Sequence, residues 1–126
     1  MIQGNFGSEG QLFFELDLIT ADGLNLPVDA MLDTGFTKFM AINTQDLDGL
    51  DWVFLGNEPM QTAQGESRFN IYLGKVILDG KEYEIPVHVG DNITEVLLGS
   101  EWLKFLRLVV DFPEDILTFK VTKSSN

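Results

Sequence analysis

Hydrophobic and polar residues alternate along most of the chain, and turn-forming residues interrupt the alternation at short intervals. The alternation predicts strands over residues 11–20, 24–32, 69–78, 81–89, 96–99, 106–112 and 116–121. The pairs Asp22-Gly23 and Asp79-Gly80 lie between successive strands and predict hairpins, because both turn positions favour a positive φ. Many short strands with regular turns predict an all-β chain built as a small barrel or sandwich.

Helix is scarce in this pattern. Ser100 is placed to cap a short helix over residues 101–105, and residues 45–50 favour one further helical turn. The 126 residues contain no linker and no convincing repeat. We therefore expect a single domain over residues 1–126, with its core over about 12–121 and a polar tail, residues 122–126, that frays.

Charge narrows the choice of partners. The chain has 20 acidic and 8 basic side chains, a formal net charge of −12. Nucleic acids and anionic membranes are bound by surfaces rich in Lys and Arg, so we expect neither as a partner. A homodimer would carry twice this charge, −24, and would need an apolar interface or a lower pH. The acidity can equally serve solubility alone.

The inventory of reactive side chains excludes several mechanisms. Cysteine is absent, which rules out disulfides and thiol nucleophiles. His88 is the one histidine, so a catalytic zinc lacks its usual ligands and a serine triad would have to use this residue. It lies in an alternating segment and is predicted to face solvent. The acidic run 46–51 has the wrong spacing for a calcium loop. We expect no metal and no other cofactor, and the chemistry left is that of carboxylates, hydroxyls and the backbone.

The first ten residues are polar and rich in glycine, without the basic region and apolar run of a secretion signal. No apolar stretch is long enough to span a bilayer. A cytoplasmic protein is therefore the expectation.

One segment carries candidate chemistry. The apolar strand that contains Ala30 and Leu32 leads directly into Asp33-Thr34-Gly35. Gly35 has no Cβ, so backbone, substrate or a second carboxylate can approach Asp33 closely. Thr34 offers a hydroxyl for a hydrogen bond across a symmetric interface. An ordinary Asx turn after a strand is the alternative interpretation of the tripeptide. The choice between a turn and a functional motif depends on the rest of the chain.

A second apolar element, Leu97-Leu98-Gly99, follows later and leads into the predicted short helix. With Leu32-Asp33-Thr34-Gly35 and a glycine-containing hairpin over residues 61–69, this set resembles the retropepsin family of clan AA aspartic proteases. Phe36 after the glycine resembles a microbial subgroup with Asp-Thr-Gly-Phe. The resemblance covers about residues 12–121. It implies a closed acid-protease barrel, all-β, with one short helix near the C-terminus.

The resemblance also implies roles for individual residues. Asp33 would be the catalytic carboxylate. Thr34 and Gly35, with Leu97, Leu98 and Gly99, would support the catalytic loop. The hairpin would be a flap that closes over substrate, with Ala63, Gln64 and Gly65 at its tip, and Phe36 would narrow a subsite.

Two departures from the viral pattern concern the dimer. Viral members pair an acid, two positions after the glycine of the motif, with an Arg just past the second glycine. Thr37 and Ser100 occupy these positions here, so that ion pair is missing. If the chain dimerises, its interface must be stabilised differently.

One motif per chain implies a homodimer, because two carboxylates are needed and an isologous interface brings identical loops together. The leading hypothesis is an aspartic endopeptidase in which the two acids share a proton and activate a water against a peptide bond. A non-catalytic dimeric β-barrel that binds peptides or mediates interactions is the alternative. A monomeric acidic barrel with a chance motif is a third. The run 117–121 could pair across the dimer or close the sheet within the subunit.

Overall fold

A computed structural model describes residues 1–62 and 65–121 of the chain. The strands are β1 (Ile2–Gln3), β2 (Asn5–Phe6), β3 (Leu12–Ile19), β4 (Asn25–Leu32), β5 (Met40–Asn43), β6 (Val53–Thr62), β7 (Gly65–Leu78), β8 (Lys81–Gly90), β9 (Val96–Leu98), β10 (Leu106–Asp111) and β11 (Ile116–Val121). A short helix, α1 (Thr44–Leu47), follows β5, and a 3-10 helix (Ser100–Lys104) follows β9. Within the described ranges, neither helical segment has the length and apolar character needed to cross a membrane.

Six strands close a barrel in the order β3, β4, β9, β5, β8 and β7. The barrel closes where β3 pairs with β7, Asp17 opposite Ile77 and Leu18 opposite Val76. β2 and β6 extend the sheet at its two ends, and β1, β11 and β10 form a separate three-stranded sheet. The predicted all-β barrel is confirmed.

The core lies inside the barrel and under the three-stranded sheet. In β3 and β7 alternate positions supply it, Phe14, Leu16 and Leu18 from one and Val76 and Leu78 from the other, and this period-two pattern is what predicted such strands. Phe14 of β3 stacks on Phe119 of β11 with ring centroids 4.5 Å apart, so the small sheet and the barrel share one core. Trp102 of the 3-10 helix is fully buried against Phe39 and Tyr83.

Both predicted hairpins are present, but only one of the two turns has a positive φ at both positions; at the β3–β4 turn Gly23 has a φ of 93° and Asp22 is not in the positive-φ region. Asp79 and Gly80 have φ values of 54° and 74°, as a two-residue hairpin between β7 and β8 requires. β11 lies between β1 and β10: all six of its residues pair with β10, and Thr118 and Phe119 also pair with β1. The run 117–121 is therefore a strand that pairs within its own chain, and its pairing across a dimer stays a prediction.

The predicted cap of the C-terminal helix is wrong. Ser100 is the first residue of a 3-10 helix rather than its cap, and Gly99 occupies the N-cap position without a side-chain hydrogen bond. The backbone N–H of Ser100 instead donates to the Phe36 carbonyl at 2.8 Å. The other predicted helical turn is confirmed in part as α1, where Asn43 Oδ1 accepts from the Gln45 N–H at 2.8 Å.

Candidate active site

Strand β4 positions Asp33. Leu32 is buried opposite Leu98 of β9, and the backbone N–H of Asp33 still donates to the Leu98 carbonyl at 2.9 Å. The chain then turns, and the Gly35 N–H donates to Asp33 Oδ1 at 2.9 Å. The half-buried carboxylate is thus oriented by its own loop. Thr34 beside it is exposed, and its hydroxyl has no hydrogen-bond partner within residues 1–62 and 65–121.

The segment after β9 supports this loop from below. The Gly99 N–H donates to the Phe39 carbonyl at 2.9 Å, and the Trp102 indole donates to the same carbonyl at 2.8 Å. A Cβ on Gly99 would lie only 1.9 Å from the carbonyl oxygen of Lys38. Glycine is therefore required at this position by the close approach of two backbones.

A cavity of about 400 Å³ opens beside Asp33. Its lining is mostly apolar, and it consists of Asp33, Gly35, Phe36, Ala41, Met60, Gln61, Phe69, Ile93 and Leu97. A carboxylate at the edge of an apolar cavity suits a site that holds an apolar side chain of a ligand next to an acid.

The long hairpin of β6 and β7 forms one wall of this cavity. Its strands stay paired out to Thr62 opposite Gly65, where Gly65 has a φ of 105°. Of the predicted flap-tip residues, Ala63 and Gln64 lie outside the described residues, and Gly65 does not line the cavity. The hairpin contributes Met60, Gln61 and Phe69 from its stem instead.

The structure thus brings Asp33, Gly35, Phe36 and Leu97 of the predicted set to one cavity, with Leu98 and Gly99 directly beneath the loop. Sequence reasoning missed five lining residues: Ala41, Met60, Gln61, Phe69 and Ile93. Phe69, which begins a predicted strand and ends the predicted hairpin, could have been found from its position there; Met60 lies in β6, whose alternation is interrupted.

The prediction that His88 faces solvent is wrong. Its side chain is only 3% exposed, and Nε2 lies 2.8 Å from Oε1 of Glu58. The face of β8 that carries His88 is covered by β6 and by Phe36, whose ring meets the imidazole edge-on with centroids 5.7 Å apart. Alternation in the sequence is the same whether the polar face of a strand is exposed to water or covered by other parts of the protein. The face that carries His88 is covered, and the sequence did not indicate this.

Glu58 belongs to a small charged group at the base of the hairpin. The hydrogen bond with His88 is the largest cause that lowers the pKa of the Glu58 carboxyl below its ordinary value; partial burial opposes it, and Lys38, 3.8 Å away, adds a smaller favourable attraction. The carboxyl is accordingly held in its ionised form.

Comparisons with known proteins agree with this architecture. No family model matches the chain, and no curated protein matches it. Three solved structures are similar. A retropepsin-like aspartic protease from Rickettsia conorii is 22% identical, with a TM-score of 0.65, over 95% of this chain and 89% of that one. The EIAV protease, solved with the inhibitor HBY-793, is 15% identical with a TM-score of 0.64, over 79% and 91%.

The protease of simian foamy virus (mac) is 19% identical with a TM-score of 0.51, over 73% of this chain and 94% of that one. These identities are low, so the similarity concerns the path of the backbone rather than particular side chains. It confirms the fold that the resemblance implied, and the chain has the retropepsin-like fold of these aspartic proteases.

Proposed function

We propose that this chain is a member of the retropepsin family and acts as an aspartic endopeptidase, in which two copies each contribute Asp33 to one active site. The observation that carries the proposal is the placement of Asp33. Its carboxylate is oriented by the Gly35 N–H and lies at the edge of an apolar cavity under a long hairpin. The retropepsin-like fold supports the same reading.

The proposal requires a second copy because the sequence contains one Asp-Thr-Gly. A two-fold axis beside the catalytic loop brings two identical carboxylates together. At a separation of about 3 Å both cannot ionise easily, so they hold one proton between them. Thr34 is exposed, and we assign its hydroxyl to a hydrogen bond with the partner loop at that axis.

The chemistry then uses both forms of the acid. The ionised carboxylate takes a proton from a water molecule, and the resulting oxygen nucleophile attacks the peptide carbonyl carbon. The protonated carboxyl donates to the carbonyl oxygen, and a proton passes to the leaving nitrogen as the C–N bond breaks. General acid–base assistance of this kind contributes roughly 10²- to 10⁴-fold in rate.

The substrate class follows from the cleft. An extended peptide can add strand-like backbone bonds to the hairpin, whose tip residues Ala63, Gln64 and Gly65 we assign to this contact. The cavity beside Asp33, lined by Phe36, Met60 and Phe69 among others, fits an apolar side chain at a position next to the cleaved bond.

The test is substitution of the acid itself. We expect Asp33→Asn to fold and to dimerise, but to lose at least about 100-fold in peptide hydrolysis, because the proton-sharing pair is gone. Hydrolysis is measured on a denatured protein mixture, and binding on a statine-containing peptide that mimics the tetrahedral intermediate.

Asp29→Asn is the matched control. Asp29 is an exposed acid of the same strand β4, and its substitution makes the same chemical change. Full activity in Asp29→Asn with none in Asp33→Asn supports the proposal. Hydrolysis retained by Asp33→Asn would remove that residue from the mechanism, and statine binding by a wild type that hydrolyses nothing would favour the non-catalytic peptide-binding module.

A further inference from the structure

The contact between Glu58 and His88 joins two parts of the molecule that sequence keeps apart. Glu58 belongs to the first strand of the hairpin, and His88, 30 residues later, belongs to the barrel wall. Glutamate with histidine is an unusual choice next to an apolar cavity, because a buried polar group is costly unless it is paired. Here the two groups satisfy each other at 2.8 Å.

Strand register places this pair on the face of the cavity. Glu58 lies opposite Phe69 in the pairing of β6 with β7, and opposite residues of an antiparallel pair project to the same face. Met60 is two residues beyond Glu58 and therefore shares its face. Both Met60 and Phe69 line the cavity beside Asp33. The hydrogen bond thus lies at the base of the wall that these side chains form.

Two aromatic rings contact the imidazole of His88. Phe36 meets the ring of His88 at an interplanar angle of 83°, and Phe69 meets it at 63° with centroids 6.3 Å apart. Phe36 comes from the catalytic loop and Phe69 from the hairpin, and both line the cavity. The imidazole therefore supports both Phe36 and Phe69, two walls of the cavity that come from different elements.

The ring has one favoured proton arrangement. Nδ1 of His88 is buried and has no hydrogen-bond partner within the described part of the chain, residues 1–62 and 65–121. A proton on Nδ1 would add a buried donor without an acceptor, whereas a neutral ring with its proton on Nε2 donates to the Glu58 carboxylate. Lys38, 3.8 Å from Glu58, supplies the positive charge near the carboxylate.

We propose that Glu58 and His88 are positioning residues for substrate: their hydrogen bond anchors β6 to the barrel and holds Phe36 and Phe69 as the two walls of the cavity. The kinetic consequence rests on the proposed protease function, whereas the anchor itself is a property of the fold. Loss of the anchor loosens the cavity without touching Asp33, so it weakens substrate binding and spares the chemical step.

The experiment compares Glu58→Ala with Glu58→Gln. Glu58 is 36% exposed, so neither substitution leaves a buried void. We expect Glu58→Ala to raise KM roughly 3- to 10-fold with kcat within about 2-fold of wild type, the range expected for one net hydrogen bond. Glu58→Gln should recover most of the loss, because its amide oxygen still accepts from Nε2. Glu82→Ala, an exposed glutamate of β8, is the matched control and should leave KM unchanged.

A spectroscopic measurement detects the hydrogen bond between Glu58 and His88 in the absence of substrate. His88 is the one histidine of the chain, so its ring ¹⁵N signals need no assignment. We expect the wild type to show a ring with a hydrogen-bonded proton on Nε2, and Glu58→Ala to lose that pattern and to exchange the amides of β6 faster. Unchanged ring signals and exchange in Glu58→Ala, or a KM equal to that of Glu82→Ala, would overturn the inference. A wild type without hydrolysis would contradict the proposed function alone, since this measurement still detects the anchor.

Discussion

At the scale of single residues, Gly99 allows two backbone segments to approach closely beneath the Asp33 loop. Its φ of −90° and ψ of 175° are open to any residue, so backbone freedom is not what requires glycine here. The requirement is space, since a Cβ would lie 1.9 Å from the Lys38 carbonyl oxygen and 2.7 Å from that of Phe36. Both carbonyls belong to the segment that follows Asp33.

Gly99→Ala therefore tests how rigidly the loop is held. Since the obstacle is backbone, we expect a loss of about 2 kcal/mol or more in the free energy of unfolding, measured by urea denaturation. Gly23→Ala is the comparison, because Gly23 has a φ of 93° with open space around it and should lose only about 1 kcal/mol. A Gly99→Ala variant as stable as Gly23→Ala would show that the two backbones separate easily.

The residues that sequence could and could not identify differ in one respect. Asp33 and Gly99 lie in short local motifs, and the sequence alone placed them correctly relative to their strands. The role of His88 depends on Glu58, which arrives from a distant strand and covers the face on which His88 lies. Alternation indicates which residues of a strand share a face, but it does not indicate which other element covers that face.

At the scale of elements, the three-residue strand β9 joins two strands that are distant in sequence. β9 pairs in parallel with β4 and antiparallel with β5, so Leu98 lies opposite both Leu32 and Met40. Sequence predicted this strand from its apolar residues, but parallel pairing joins distant segments and leaves no local signature.

The alternation did not predict four strands, β1, β2, β5 and β6, and the reasons are visible for the last two. β5 has only four residues, too few for a clear alternation. β6 contains a register shift between Phe54 and Gly56, and Pro59 removes a backbone donor. A bulge interrupts alternation, and proline is tolerated in a strand at the edge of a sheet, where β6 lies.

Leu98→Ala tests the importance of β9. The side chain is fully buried beneath the Asp33 loop, so its removal should cost about 2–5 kcal/mol of unfolding free energy. Leu103→Ala, five residues later and 36% exposed, removes the same atoms near the surface and should cost less than about 1 kcal/mol. Denaturant midpoints compare the two variants, and equal losses would contradict a central role for β9.

At the scale of the whole molecule, the barrel was predictable and the assembly was not. The order of strand signals and motifs along the chain was enough to predict a closed retropepsin-like barrel. Each subunit also completes its own three-stranded sheet, with β11 in the middle and β10 at one edge. The surfaces that the proposed dimer would use have no local signature in the sequence, because a subunit surface is assembled from segments that are distant along the chain.

Net charge makes that dimer sensitive to salt. Two subunits of −12 repel each other, and the screening length falls from about 10 Å at 0.1 M to about 3 Å at 1 M salt. If two copies of Asp33 form one site, added NaCl should lower the dimer Kd and raise the specific activity of dilute enzyme. Sedimentation equilibrium gives the first quantity and hydrolysis at a series of enzyme concentrations the second. Asp33→Asn should show the same salt dependence of association without activity, which separates assembly from chemistry. Specific activity that is independent of both salt and enzyme concentration, from a protein that sediments as a monomer throughout, would contradict a site shared between two chains.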